Sequence, residues 1–228
     1  MKQKVVSLML AAIALFTALP AMSQESTYKF DLGASLGMSG YLGDANTANL
    51  FANTGFSAAA NFRYLINTRW AIRGSLMTAG LSGNSADMEN LFPGGETYKF
   101  TSTVYDLGGR IEFNFFNYGI GESYRKMKRW SPYLSLGIGM TVASSSGTHI
   151  YANIPMGVGV KYKLKPRINL GLEWTMTKVF GDKVDGEILD DPYHIKSSFL
   201  KNTDWYSTIM LSISYEFGER CKNCFYVD

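Results

Sequence analysis

Four groups of residues in this 228-residue sequence have the types and spacing that chemistry requires. The first is Ser144, Ser145 and Ser146 with His149 close behind. A serine, a histidine and an acid brought together in space make an acyl-hydrolase site. The second is Cys221-Lys222-Asn223-Cys224, a redox or metal-ligand spacing. The third is a set of charges at alternate positions: Lys29, Asp31, Arg63, Arg73, Asp106, Arg110, Glu112, Lys161, Lys163, Arg167, Glu173 and Glu216. Enclosed together, these would make a proton relay, a pore lining or a plug of salt bridges. The fourth joins Tyr118, Tyr124 and Trp130 to Arg125, Lys126, Lys128 and Arg129, with Phe225 and Tyr226 in the tail. Aromatic and Arg side chains are the ones that anchor interfaces.

The first two groups lack what catalysis needs. No nucleophile motif surrounds the serines, and His149 and His194 both fall in expected loops. A reactive CxxC needs a helix N-terminus to lower its thiol pKa, and a zinc site needs two further ligands. The expectation is a chain with no catalytic residue, no metal, no cofactor and no small-molecule substrate.

The elements that position the third group are β-strands. Ile154, Met156, Val158, Val160, Tyr162 and Leu164 alternate with Pro155, Gly157, Gly159, Lys161 and Lys163. After Lys165-Pro166, the apolar row resumes with Ile168, Leu170, Leu172, Trp174, Met176 and Phe180, broken only by Lys178. Period-two alternation puts the two rows on opposite faces of a hairpin. Small residues and isolated charges form one row, and aliphatics with aromatics near the ends form the other. That is the pattern of a transmembrane β-barrel with a polar interior. Each limb has enough residues to cross a bilayer at a tilt.

The same alternation recurs along the chain. Strands are expected over residues 28–42, 51–66, from 70 onward, 100–116, 132–142, 154–164, 167–180 and 204–217. The fold class is therefore all-β, an antiparallel transmembrane barrel of about eight strands. Leu136, Ile138, Leu170, Leu172, Leu211 and Ile213 are expected to face lipid. An eight-stranded lumen is just wide enough for side chains to fill. An unpaired charge there would be very unfavourable, so Arg73, Asp106, Arg110, Glu112, Lys161, Glu173 and Glu216 are expected to form a structural ion-pair cluster.

Residues 1–23 read as a signal peptide, with Lys2 and Lys4 before an apolar run and Ala21-Met22-Ser23 as the cleavage signal. The barrel then occupies residues 24–218, and residues 219–228 form a tail carrying Cys221 and Cys224. Removing the signal lowers the formal charge from +3 to +1, and no basic run points to nucleic acid. An even strand number leaves both termini at one end, expected to be periplasmic in the outer membrane of a Gram-negative bacterium. The connection over residues 117–131 is long for that side. It and the tail present Tyr124, Arg125, Lys126, Lys128, Arg129, Trp130, Phe225 and Tyr226 as a candidate docking surface.

Several short stretches are familiar in order and spacing: Tyr41-Leu42-Gly43-Asp44, Glu112-Phe113-Asn114-Phe115-Phe116, Gly157-Val158-Gly159-Val160-Lys161-Tyr162, Asn169-Leu170-Gly171-Leu172-Glu173, and Asp204-Trp205-Tyr206. Together they resemble the PorG-like outer-membrane β-barrels associated with the type IX (Por) secretion system. The resemblance implies a non-enzymatic barrel that anchors periplasmic ring proteins of the secretion machine to the outer-membrane lipid. The other reading is a stand-alone barrel serving envelope integrity, weak transport or lipid modification.

Overall fold

The structure, a computed structural model, describes residues 28–42, 54–84, 99–120, 127–144, 148–180 and 205–219. Eight strands follow in chain order: β1 (Tyr28–Leu42), β2 (Gly55–Leu65), β3 (Trp70–Asn84), β4 (Lys99–Asn114), β5 (Trp130–Ser144), β6 (Thr148–Lys165), β7 (Ile168–Val179) and β8 (Trp205–Glu219). Each pairs antiparallel with its neighbours, and β8 pairs with β1 to close the barrel. The signal peptide, His194, Ser145, Ser146, Tyr124, Arg125, Lys126, Cys221, Cys224, Phe225 and Tyr226 lie outside the described residues.

The alternation sorts the side chains as the physics of a strand requires. Leu36, Leu76, Leu107, Ile138, Leu172 and Leu211 point outward, Ile138 being 74% exposed and Leu172 54%. Asp31, Arg63, Arg73, Arg110, Glu112, Lys161 and Glu173 point inward and are buried. The solvent-exposed exterior is apolar and the buried interior is polar. This inverts a soluble barrel and suits a hydrocarbon surround. Aromatics gather toward the turn end, where Phe30 stacks on Phe62 at 5.7 Å and Trp70 meets Phe113 at 4.7 Å.

Connections at the two ends differ. The β2–β3 turn is tied by Asn67, whose Oδ1 accepts from the Arg69 amide at 2.8 Å and the Trp70 amide at 2.7 Å. Such side-chain capping is what makes Asn a turn residue. Pro166 and Arg167 suffice between β6 and β7. Opposite Pro155 the β5–β6 ladder skips two pairs, running from Leu136↔Met156 to Gly139↔Asn153 without a change of register. Proline has no N–H to give to the ladder.

Some sequence expectations need correction. β2 begins at Gly55, not at residue 51, and β6 begins at Thr148, so His149 lies in a strand and not in a loop. Lys29 is exposed. Arg167 is also outside the lumen: its Nη1 donates to Tyr215 at 3.1 Å and its Nε to Tyr28 at 3.2 Å, and it pairs with Glu219 at the rim. Both sit at strand ends, where the alternation no longer has an inside. Trp130 is the first residue of β5, and its indole meets Phe116 edge-on at 5.0 Å.

Leu172 should be embedded in hydrocarbon, so placing Arg there should destabilise the folded barrel by about 2–4 kcal/mol. Equilibrium urea titration of the chain refolded into lipid vesicles measures this. Wild-type stability in Leu172→Arg would reverse the inside-outside assignment.

Candidate functional site

Among the described residues, the lumen is where the fold concentrates charge. Glu112, fully buried, is its centre. One carboxylate oxygen meets Arg63 Nε at 3.1 Å and Arg73 Nη1 at 3.0 Å, and the other pairs with Lys161. Arg73 extends the network to Glu173 through two parallel bonds of 2.6 and 2.7 Å. A bidentate guanidinium–carboxylate pair adds geometric specificity as well as strength. Glu173 also meets Arg110 at 3.2 Å and accepts from Tyr133 Oη. On the turn side, Arg63 Nη1 lies 2.8 Å from Asp31, and Lys163 lies 2.6 Å from Glu216. Asn169 Nδ2 links Asp31 and Glu216 at 2.9 Å each.

Among the described residues, the buried charges comprise five cations (Arg63, Arg73, Arg110, Lys161, Lys163) and five anions (Asp31, Asp106, Glu112, Glu173, Glu216). The formal charges of the described lumen therefore balance only when Asp106 is counted with the ion-paired residues. Two glycines make the space. A Cβ on Gly157 would lie 2.6 Å from Ser135 Oγ and 2.9 Å from the Glu173 carboxylate, and one on Gly159 would lie 2.7 Å from the Tyr133 ring.

Asp106 stands apart. It has no ion-pair partner within 4 Å among the described residues; instead it accepts from Tyr206 Oη at 2.6 Å, Thr141 Oγ1 at 3.2 Å and Asn153 Nδ2. Above it, toward the loops, the inward row turns apolar: Tyr41, Met77, Leu81, Val104, Val179 and Tyr206 pack together inside the barrel. At the turn end, the chain after β4 folds across the opening. The Tyr118 hydroxyl donates to Asn169 Oδ1 at 2.7 Å, its amide donates to the Thr68 carbonyl at 3.3 Å, and Lys163 Nζ stands 5.1 Å from its ring centre. Burial pushes the Tyr118 phenol well above its ordinary range, so it stays a neutral donor. The lumen is therefore closed by an apolar layer at one end and a tyrosine at the other.

The sequence-derived cluster Arg73, Arg110, Glu112, Lys161 and Glu173 meets in one network, whereas Glu216 belongs to the Lys163 pair and Asp106 to its own set of donors. Tyr133, Asn153 and Tyr206 were not among the candidates; their inward parity was available, but their types do not announce a charge network. Of the basic-aromatic group, Lys128 and Arg129 are exposed, with Lys128 Nζ 3.9 Å from the Phe116 ring centre. His149 stacks on Tyr151 at 6.2 Å, and its Nε2 has no hydrogen-bond partner among the described residues, while Ser145 and Ser146 lie outside them.

Fold and lumen together define the class: a small transmembrane β-barrel of the outer-membrane kind. A family profile described as "Domain of unknown function (DUF6089)" matches residues 8–228, and the chain belongs to that family. The barrel in the sequence-derived resemblance stands, while nothing in that description carries a secretion role. No curated protein matches the sequence. Among solved structures, Neisserial surface protein A (NspA) is similar, at 14% identity and a TM-score of 0.53, over 82% of this chain and 97% of that one. Ail of Yersinia pestis shares 16% identity with a TM-score of 0.46, over 84% of this chain and 100% of that one. OprG of Pseudomonas aeruginosa shares 12% with a TM-score of 0.45, over 86% and 98%. At such identities the likeness is one of fold.

Glu112→Gln strands Arg63, Arg73 and Lys161 around a neutral amide and should destabilise the barrel by about 3–5 kcal/mol. Adding Lys161→Met removes the surplus cation and should recover part of that loss, a non-additivity that a double-mutant cycle in urea reads directly. Additive losses would mean that Glu112 and Lys161 do not act as a pair.

Proposed function

We propose that this protein is a non-conducting, non-enzymatic barrel of the Gram-negative outer membrane that acts on its own in envelope integrity. The observation that carries this reading is the occupied lumen: a buried ion-pair network between the apolar layer at Val104 and Val179 and the Tyr118 closure. A passage for solutes needs a continuous wet path, and the lumenal cavities lined by described residues are small, about 70 Å³ at the turn end and 10 to 20 Å³ among the ion pairs. Weak transport and lipid modification are correspondingly the less favoured forms of the stand-alone reading. In planar bilayers the purified chain should give no steady conductance. A stable, ion-selective channel would overturn the proposal. Cells lacking the chain should admit detergents and large antibiotics more readily, and restoring it should reverse that.

A second reading has one observation in its favour. The β4–β5 connection is far longer than the other two at its end of the barrel, and it exposes Lys128 and Arg129 beside Trp130. An adaptor that anchors periplasmic ring proteins of a type IX secretion machine would need such a surface on the side of both termini. Crosslinking in intact cells followed by co-purification tests it. Ring proteins should be recovered with the wild type and lost when Arg125, Lys126, Lys128 and Arg129 are neutralised together. Recovery of none with the wild type would dismiss the adaptor role.

A further inference from the structure

The barrel exterior is not uniform. Two outward rows run side by side across the strands, along the hydrogen-bonding direction. One passes from Trp70 through Phe113, Leu134 and Val158 to Trp174, each residue the register partner of the next. The other passes from Ile111 through Leu136 and Met156 to Met176. Between these ridges lies an apolar furrow of about 570 Å³, floored at Ser135 and Gly157, whose side-chain positions turn inward. Five strands at their usual spacing make it about 20 Å long. Three of the chain's four tryptophans, Trp70, Trp174 and Trp205, line it. Trp174 lies across the wall with its Nε1 donating to Ser207 Oγ at 2.8 Å, so its polar edge is already satisfied.

On the loop side, Lys178 stands next to Trp205, a residue of the furrow's lining. Among the described side chains it is the one charge on the outward face at that end of the barrel, and it is the residue that interrupts an otherwise apolar row. Its register partner on β8 is Trp205, and its ammonium stands 5.3 Å from the Trp205 ring centre and 5.8 Å from that of Phe180. No carboxylate pairs with it among the described residues. A cation held on aromatic rings at the edge of a hydrocarbon surface keeps its other donors free for an anion.

We propose that this furrow and Lys178 form a binding site for a phosphate-bearing anionic lipid, one acyl chain lying between the two ridges and the headgroup phosphate meeting the Lys178 ammonium. The argument for this occupant is location and charge: the furrow opens onto membrane hydrocarbon, and beside its loop-side end stands a positive charge that no carboxylate among the described residues pairs. The site rests on the membrane placement proposed above, and goes beyond it by naming a lipid class and the residues that select it.

The test uses the full chain carrying Trp130→Phe, so that every remaining tryptophan lines the furrow. It is reconstituted in phosphatidylcholine nanodiscs containing a small fraction of bromine-labelled phosphatidylglycerol or bromine-labelled phosphatidylcholine, and tryptophan quenching is followed. Phosphatidylglycerol should reach half-maximal quenching at about fivefold lower mole fraction, the scale expected of one lysine at an anionic headgroup. Lys178→Gln should abolish the difference, Lys178→Arg should keep it, and raised salt should shrink it. Equal quenching by the two lipids in the wild type overturns the site while leaving the membrane placement intact. A preference that survives Lys178→Gln also overturns it. Absence of quenching by either lipid overturns the membrane placement together with the site.

Discussion

A sheet that crosses hydrocarbon has no water to satisfy a free edge, so every backbone N–H and C=O must find a partner within the protein. The pairing of β1 with β8 meets that constraint, running from Tyr28↔Glu219 to Leu42↔Trp205. Everything else follows from the circle it closes. With eight strands the circle is narrow, and a narrow lumen admits side chains but little else. The lapse opposite Pro155 is tolerated because the register resumes unchanged on either side of it.

The narrow lumen sets the terms for the charges within it. A carboxylate or guanidinium enclosed there is stable only beside its opposite, and the strand register supplies those neighbours from distant parts of the chain. Arg73 and Glu173 are 100 residues apart yet form the tightest bidentate contact of the network. Gly157 and Gly159 act in the same service, since their missing side chains leave room for Glu173 and Tyr133.

With the lumen filled, the surfaces left to meet other molecules are the membrane-facing wall and the two ends. The wall is apolar, and its departures from uniformity are a furrow with tryptophans at its ends and a lysine beside it. At the turn end, Tyr118 draws part of the β4–β5 connection into the barrel, while Lys128 and Arg129 stay exposed. One connection thus both closes the lumen and offers a basic surface.

The sequence alone determined which side of each strand faces which environment. Leu136, Leu172 and Leu211 alternate with Ser135, Glu173 and Ser212, and a period of two has a single structural meaning, so strand number, closure and the polar interior were legible before any coordinates. The ends of strands were less so: beyond the last membrane-crossing residue there is no inside, and parity placed Lys29 and Arg167 in a lumen they do not enter. What only the tertiary structure decided was pairing across the barrel and depth along it. Nothing local to Glu112 says that it gathers Arg63, Arg73 and Lys161, because shear between strands, and not spacing along one strand, sets which inward residues share a level. Nor does the inward parity of Met77, Val104 and Val179 reveal that they meet in one apolar layer. The furrow is of the same kind, since its two ridges are drawn from different strands and exist only once the registers are fixed.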